Sequence, residues 1–279
     1  MNNKISVIIV SWNVADKLRR CLKAVLSEQP YEVVVIDNAS RDNTVAMVKN
    51  YFPTVKLIAA QENLGFAKAC NQGLKKVSGD IILLLNPDTF VWGGGFNKVI
   101  DFFNEHKHIG IVGGQLINGH GVAQQSVRRL PTLWSQIAVL LKLGYLCPWL
   151  LNKYLIKDFN YNQDQEVEQV SGAFFYINKL ALNEIGSFDE SFWLWFEEVD
   201  LCKRAKEAGW QIWYAAQVKA ENIGGASFKQ LSHLERQKIF NNSLCYYFKK
   251  HSSRLSYFIL RLLSPISLAQ AVILDLIKL

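Results

Sequence analysis

Ile5-Ser-Val-Ile-Ile-Val10 is a β-branched apolar run that stops at the polar Ser11-Trp-Asn13, and Asp16 to Leu26 then carries Leu18, Cys21, Leu22 and Val25 at helical spacing. The run predicts a buried strand, the polar triplet a loop, and the spacing a helix. The same unit returns with Glu32 to Ile36, the loop Asp37-Asn-Ala-Ser40 and a helix from Asp42 to Tyr51. It returns again with Val55 to Ala59 and a helix from Phe66 to Val77, and a fourth strand, Asp80 to Leu85, follows. Strands that alternate with helices form a parallel sheet with right-handed crossovers, and such sheets bind ligands beyond the carboxyl ends of their strands. The residues just past each strand are therefore the candidates: Ser11 and Asn13, then Asp37, Asn38 and Ser40, then Asn63 and Gly65, then Asn86 and Asp88.

Beyond residue 110 the alternation loosens. Gly110 to Ile117, Gln124 to Val127 and Val167 to Ile177 read as strands, the last around Ser171-Gly-Ala173, and Gln211 to Ala215 and Gln217 to Ala220 as two closing strands. Leu133 to Ile156 is apolar, bears Trp and Tyr, and is interrupted by Lys142 and Pro148. An acidic helix is expected from about Glu197 to Ala208.

With 279 residues, half of them apolar, the chain is long enough for a large core, which excludes a disordered or disulfide-stapled protein. The net charge of +7 is concentrated: eight basic residues against Glu235 and Asp275 give residues 229–279 a charge of +6, leaving +1 for the rest. The five cysteines form no C-x-x-C pair and the five histidines no zinc motif, so any metal here is a hard cation on carboxylates. No G-x-G-x-x-G follows the first strand and no P-loop occurs, which disfavours a dehydrogenase or an ATPase. A diphosphate would then be met through a cation, and Asp88, set by Pro87 behind the apolar run Ile81 to Leu85, is the carboxylate placed to hold it.

The densest carboxylate group lies in Phe188 to Arg204, where Glu197, Glu198, Asp200 and Arg204 fall on or near one helix face behind the aromatic run Phe192, Trp193, Trp195 and Phe196. An aromatic wall beside carboxylates suits stacking of a sugar and perturbs a carboxylate pKa.

Taken together, Ser6 to Asn13, Asp37 to Ser40, Glu62 to Ala67 with Asn71-Gln-Gly73, Leu85-Asn-Pro-Asp88, Val170 to Ala173 and Phe188 to Arg204 resemble the family 2 inverting glycosyltransferases of the GT-A fold. Within them the likeness is to the bacterial rhamnosyltransferase-like branch, from Ile5 to about Gly225 and again near Tyr247 to His251. The resemblance implies a Rossmann-like, mainly parallel sheet flanked by helices. It implies a glycosyltransferase domain over 1–228, with a nucleotide-binding half to about 110 and an acceptor half from 111, and a basic amphipathic helical extension over 229–279. It implies Asp37 on the base of a nucleotide-sugar, with Ser11, Asn13, Asn38, Asn63, Gly65, Asn71 and Asn86 around the same ligand. Asp88 then holds Mg2+ or Mn2+, and Glu198 is the catalytic base. Trp193, Trp195, Glu197, Asp200, Arg128 and Arg129 fall to the acceptor, the arginines as diphosphate ligands. Two positions depart from the family: Asn86 replaces the first aspartate of its D-x-D motif, and Asn222 stands where relatives often carry histidine.

The implied activity is inverting transfer of a sugar, L-rhamnose from dTDP-rhamnose, to a lipid-linked saccharide in the synthesis of a bacterial surface polysaccharide. The alternatives are a UDP-sugar donor or a catalytically silent nucleotide- or glycan-binding member of an assembly complex. The implied setting is peripheral, on the cytoplasmic face of the inner membrane, with no nucleic acid among the partners. Leu255, Phe258, Ile259, Leu262 and Leu263 recur at helical spacing, and Lys249, Lys250, Arg254 and Arg261 lie beside them. That pattern predicts an interfacial helix on anionic lipid, assisted by Leu133 to Ile156, since only 13 uncharged residues separate Arg261 from Asp275 and Pro265 interrupts them. The alternative is that this apolar face packs on the body or on a second subunit, as in a homodimer.

Overall fold

A computed structural model describes residues 4–106, 108–225 and 230–277. β1 (Ile5–Ser11) is the strand from which the sheet grows. After α1 (Ala15–Ser27), β2 (Glu32–Asp37) pairs with it in parallel, bringing Ser11 opposite Asp37. After α2 (Thr44–Tyr51), β3 (Lys56–Ala59) adds outside β2, and after α3 (Phe66–Leu74), β4 (Ile81–Leu85) pairs with the other edge of β1. All five side chains of β4 are buried, as a strand covered on both faces requires.

The second half begins with β5 (Thr89–Val91), a short strand not foreseen, and continues with α4 (Gly95–Glu105) and β6 (Ile109–Ile117). Of the strand expected over Gln124 to Val127, only β7 (Val127–Arg128) forms. Lys142, in a left-handed conformation, and Pro148 divide the apolar stretch into α5 (Leu133–Leu140) and α6 (Trp149–Leu155), joined through a 3-10 turn. β8 (Gln165–Glu166) precedes a region where the single expected strand is broken in two. β9 (Gln169–Val170) pairs with β7, and β10 (Phe174–Asn178) enters the main sheet, because the chain turns at Ser171-Gly-Ala173. α7 (Lys179–Ile185) and α8 (Glu197–Glu207) follow, and the two expected closing strands are one, β11 (Gln211–Asn222), with a register shift between Ala215 and Lys219.

The main sheet runs β3-β2-β1-β4-β10-β6-β11-β5, with β8 on β11. β3, β2, β1 and β4 are mutually parallel, as are β6 and β11, while β10 is antiparallel to both its neighbours. Helices cover both faces: one core gathers α1 and α4 residues such as Leu22 and Phe103, the other α3, α8 and α9 residues such as Cys70, Leu201 and Phe248. Gly114 lets the layers close on β6, since a Cβ there would lie 2.3 Å from the Phe174 ring.

α9 (His233–His251) and α10 (Arg254–Ile277) form a hairpin at the C-terminus. Leu244, Tyr247 and Phe248 root α9 in the second core. α10 runs uninterrupted through Pro265, contrary to the break expected there. Around the proline, Ser264 Oγ bonds the Leu260 carbonyl, and Ser267 Oγ and Asn241 Nδ2 both bond the Ser264 carbonyl. Lys229, Lys278 and the proposed boundary at 228/229 lie outside the described residues.

Candidate active site

β1, β2 and β4 all end at one edge of the sheet, so their loops converge there. Asn38 ties the loop after β2 to the one after β3: its Nδ2 donates to Asn63 Oδ1 at 2.8 Å and to the Gly65 carbonyl at 3.1 Å, and its Oδ1 accepts from Leu64 N–H. Asn13, at positive φ, accepts the Arg41 N–H on Oδ1 and donates through Nδ2 to Gln230. Asp37 uses one oxygen to accept from Ser40 N–H. Its Oδ1, and the hydroxyl of Ser11 beside it in the register, are buried with no hydrogen-bond partner among the described residues. Unpaired buried polar atoms are costly, and at the end of a parallel sheet they are where a polar ligand is received.

The cavity at this edge is lined by Val10, Trp12, Asn38, Asn63, Asn86 and Asp88 from the sheet loops, and by Trp193 and Leu194 from the far side. Trp193 was expected on the acceptor side. The loop that carries it is pinned over the start of α3, where its carbonyl accepts from Phe66 N–H at 2.7 Å. Gly65 makes this approach possible, being at φ +79° with room for a Cβ denied by the Trp193 carbonyl at 2.4 Å. Asn71, expected at the ligand, is a brace for the same loop: its amide bonds Phe188 N–H, the Phe188 carbonyl and Glu190, and it is buried.

Trp195 and Phe196 are consecutive residues at positive φ, 65° and 68°. Such strain is unusual for aromatic residues and persists where the surroundings enforce it. Here it reverses the chain, so that Trp193 and Leu194 face the first cavity while Trp195, Phe196 and Glu198 face a second one of about 310 Å3. Arg128, Gln136, Tyr154 and Phe240 complete that second cavity. Glu198 lies beside Gly172 in the turn between β9 and β10, where even a Cβ would make only ordinary contact with its side chain at 3.5 Å.

Burial raises the pKa of Glu198 against the opposing influence of Arg128, and burial together with the charge of Glu198 raises that of Glu197 further. One Oε of each has no hydrogen-bond partner among the described residues. Glu197 lines neither cavity. Asp200, also expected at the acceptor, is fully buried and engaged: Arg204 holds one oxygen at 2.8 Å, and Lys250 and His251 the other at 2.7 and 2.6 Å. Arg129 likewise turns from the cavity to Glu168 at 3.3 Å. Lys250, bridging Asp189 and Asp200, is an internal ion-pair partner and not a free cation for lipid.

A divalent ion fits this donor set in one way. Asp88 is buried at the cavity wall, in a turn fixed by Asn86 N–H to the Ala173 carbonyl and Ile223 N–H to the Asp88 carbonyl, and Asn86 adds a neutral oxygen. No cluster of three or more His, Cys, Asp or Glu able to hold a metal occurs among the described residues. Asn222 is occupied too, accepting from Thr89 Oγ1 at 3.1 Å and donating to Gln124 at 2.8 Å. One carboxylate suits Mg2+ or Mn2+ that keeps its remaining places for water and phosphate oxygens.

Trp12, Gln136, Tyr154 and Phe240 were not foreseen as cavity residues. Trp12 sits within the first polar loop and was legible there, whereas the other three come from helices whose packing no local pattern announces.

A strand-end cleft with a carboxylate turn, facing a second cavity across an aromatic loop, defines a nucleotide-sugar glycosyltransferase of the GT-A class. Solved structures share the fold: GalNAc-T7 with UDP, GalNAc and Mn2+ at a TM-score of 0.61 and 17% identity, over 78% of this chain and 43% of that one. The mannosyltransferase PcManGT of Pyrobaculum calidifontis, with GDP-Man and Mn2+, gives 0.57 and 16% over 96% and 73%. The chain belongs to glycosyl transferase family 2, whose sequence model matches residues 6–186. Among named relatives it is 27% identical over 252 residues to the N-acetylglucosaminyl-diphospho-decaprenol L-rhamnosyltransferase of Mycobacterium tuberculosis, covering 84% of this chain and 81% of that protein.

Proposed function

We propose that the protein transfers L-rhamnose from dTDP-rhamnose, with inversion, to a lipid-linked saccharide at the cytoplasmic face of the membrane. The observation that carries this reading is the position of Glu198, a carboxylate of raised pKa that opens onto the cavity across the aromatic loop from Asp88. In the mechanism we assign, the unpaired atoms of Ser11 and Asp37 receive the nucleoside, and Asn38, Asn63 and Gly65 hold the loops around it. Asp88 and Asn86 would hold Mg2+ or Mn2+, which when bound neutralises charge on the departing diphosphate. Trp195 positions the acceptor ring, and Glu198 takes the proton from the attacking hydroxyl as that oxygen forms the new glycosidic bond and the nucleoside diphosphate leaves on the opposite face. Burial keeps Glu198 basic enough to accept that proton, and its place in the first turn of α8 keeps its anion tolerable.

The membrane reading rests on α10. Its inward face is small and polar, with Ser256, Ser267 and Ala271 buried beside Leu260, while Leu255, Phe258, Leu262, Ile266, Ile273 and Ile277 remain exposed. With 24 residues and a window of mean hydropathy 1.7, α10 is long and apolar enough to cross a membrane. Both its ends are tied to the body, however: it follows α9 directly, and Asp275 at its far end accepts from His233 and Leu234 N–H at the start of α9. A helix so pinned lies along a bilayer surface, where Lys249, Arg254 and Arg261 face anionic headgroups.

The test is a transfer assay with dTDP-rhamnose, UDP-sugars and a prenyl-diphosphate saccharide. dTDP-rhamnose should be the donor used, and Asp88→Asn should weaken both activity and dTDP affinity in titrations with Mg2+. Donor binding without transfer from any nucleotide-sugar would replace this reading with that of a silent glycan-assembly component.

A further inference from the structure

Asp88 is the one carboxylate in the wall of the first cavity among the described residues. An ion held by several protein carboxylates shares any misplacement among them, whereas an ion held by one depends wholly on where that one stands. Asp88 leads directly into β5, a strand of only three residues with few ladder hydrogen bonds to fix it. What holds that strand therefore decides where the carboxylate stands.

β5 pairs antiparallel with the end of β11, Phe90 opposite Glu221 and Thr89 opposite Asn222. Successive side chains of a strand point to opposite faces, so the two pairs face opposite ways and each is gripped from its own side. On one face Arg20 of α1 meets Glu221 at 2.6 Å and lies over the Phe90 ring at 4.0 Å. The Arg20 side chain is 56% exposed, and an ion pair so open to water contributes little. On the other face Thr89 and Asn222 are buried and their hydrogen bonds continue into Gln124. Thr89 Oγ1 donates to Asn222 Oδ1 at 3.1 Å, Asn222 Nδ2 donates to Gln124 Oε1 at 2.8 Å, and Gln124 Nε2 donates back to the Asn222 carbonyl at 2.7 Å. The next residue, Ile223, donates its N–H to the Asp88 carbonyl.

Gln124 reaches this point because the chain reverses between Asn118 and Val122. Ile117 bridges Ala123, and the Gln124 N–H returns to the Leu116 carbonyl. Both ends of its side-chain amide are then spent on Asn222, one on the side chain and one on the backbone, so the pair grips the end of β11 as a strut. Resting on the assignment of Asp88 to a divalent ion, we infer that Thr89, Asn222 and Gln124 are positioning residues for that ion. Their hydrogen bonds fix the turn that presents the Asp88 carboxylate, and they act on the ion through Asp88.

Calorimetric titration of the full-length protein with dTDP and, in parallel, UDP, without metal and over a series of Mn2+ concentrations, tests this without requiring transfer. Mn2+ should tighten nucleotide binding by the wild type, and Asp88→Asn should abolish the gain. Thr89→Val and Gln124→Met keep the shape and remove the hydrogen bonds. Both should bind the nucleotide as the wild type does without metal, yet need about tenfold or more Mn2+ to reach half of the gain. Thr89→Ser, which keeps the hydroxyl, should behave as the wild type. Circular dichroism melts establish that each variant is folded. An unchanged Mn2+ requirement in Thr89→Val and Gln124→Met would overturn the inference while leaving Asp88 its role. An equal loss of metal-free affinity would overturn it too, because the whole cleft would then have loosened. If the wild type binds neither nucleotide, or binds no better with Mn2+, the assignment of Asp88 falls and this one falls with it.

Discussion

Glu197, buried, and Glu198, half-buried, are adjacent carboxylates at the start of one helix, and that proximity has a thermodynamic consequence. Burial raises both pKa values, and the charge of Glu198 adds to the rise at Glu197. In the unfolded chain each carboxyl loses its proton near pH 4.5, whereas the folded protein keeps it to higher pH. The native state therefore binds more protons than the unfolded state from about pH 4.5 up to the raised folded values, and across that window stability falls as pH rises. Glu197→Gln removes the larger share of this loss. Denaturant unfolding should show the variant at least as stable as wild type at neutral pH and with a flatter decline above pH 4.5; a variant less stable at neutral pH would contradict the assignment. The acid limb of activity should likewise lie above the ordinary carboxylate range, since Glu198 must be ionised to act. These residues were legible in the sequence as a carboxylate group beside aromatics. Which of them opens to a cavity was not, because a three- or four-residue helical spacing places Glu197 and Asp200 on a face without saying whether that face meets solvent or α9.

Asp200 shows what that difference means at the scale of elements. It joins α8 to α9 through Lys250 and His251, and Lys250 reaches on to Asp189 at 2.7 Å, with Tyr246 on the same carboxylate at 3.0 Å. α8, the aromatic loop and the C-terminal hairpin thus share one ionic junction, a long-range contact between segments some 50 residues apart that no local pattern announces. Asp200→Asn removes the shared carboxylate, leaving Lys250 to Asp189 and Arg204 to backbone carbonyls, and should cost on the order of 2 kcal/mol in denaturant unfolding. Glu198→Gln, which breaks no such network, should leave stability nearly unchanged. A silent Asp200→Asn would show that the junction is dispensable. The strands tell a similar story: β1, β2 and β4 were readable as apolar runs buried on both faces. β5 and the break between β9 and β10 were not, because a three-residue strand and a glycine turn depend on partners far along the chain.

At the scale of the whole molecule much of the exposed apolar surface lies on α10 and the α5–α6 tip, and α5 and α6 also line the second cavity. The sequence left open whether the apolar face of the C-terminal helix covers the body. It does so in part: Leu260 is buried and Leu263 packs on the second core, whereas Leu255, Phe258 and Leu262 are exposed. A chain truncated after His251 keeps α9 with its buried Leu244, Tyr247 and Phe248, and loses Leu260 and the hydrogen bonds that join α9 to α10. It should remain folded by circular dichroism, use a water-soluble acceptor, and lose sedimentation with anionic liposomes at low salt; a truncated chain that still sediments would place attachment elsewhere.

Inverting transfer by Glu198 is the central claim, and the anomeric configuration of the product reads it directly. Wild-type protein, dTDP-rhamnose, Mg2+ and a short-chain prenyl-diphosphate saccharide should yield a rhamnoside whose one-bond carbon–proton coupling reports the configuration opposite to the donor's. Glu198→Gln should bind dTDP normally and form that product roughly a hundredfold or more slowly. A product that retains the donor's configuration, or near wild-type turnover by Glu198→Gln, would contradict the account.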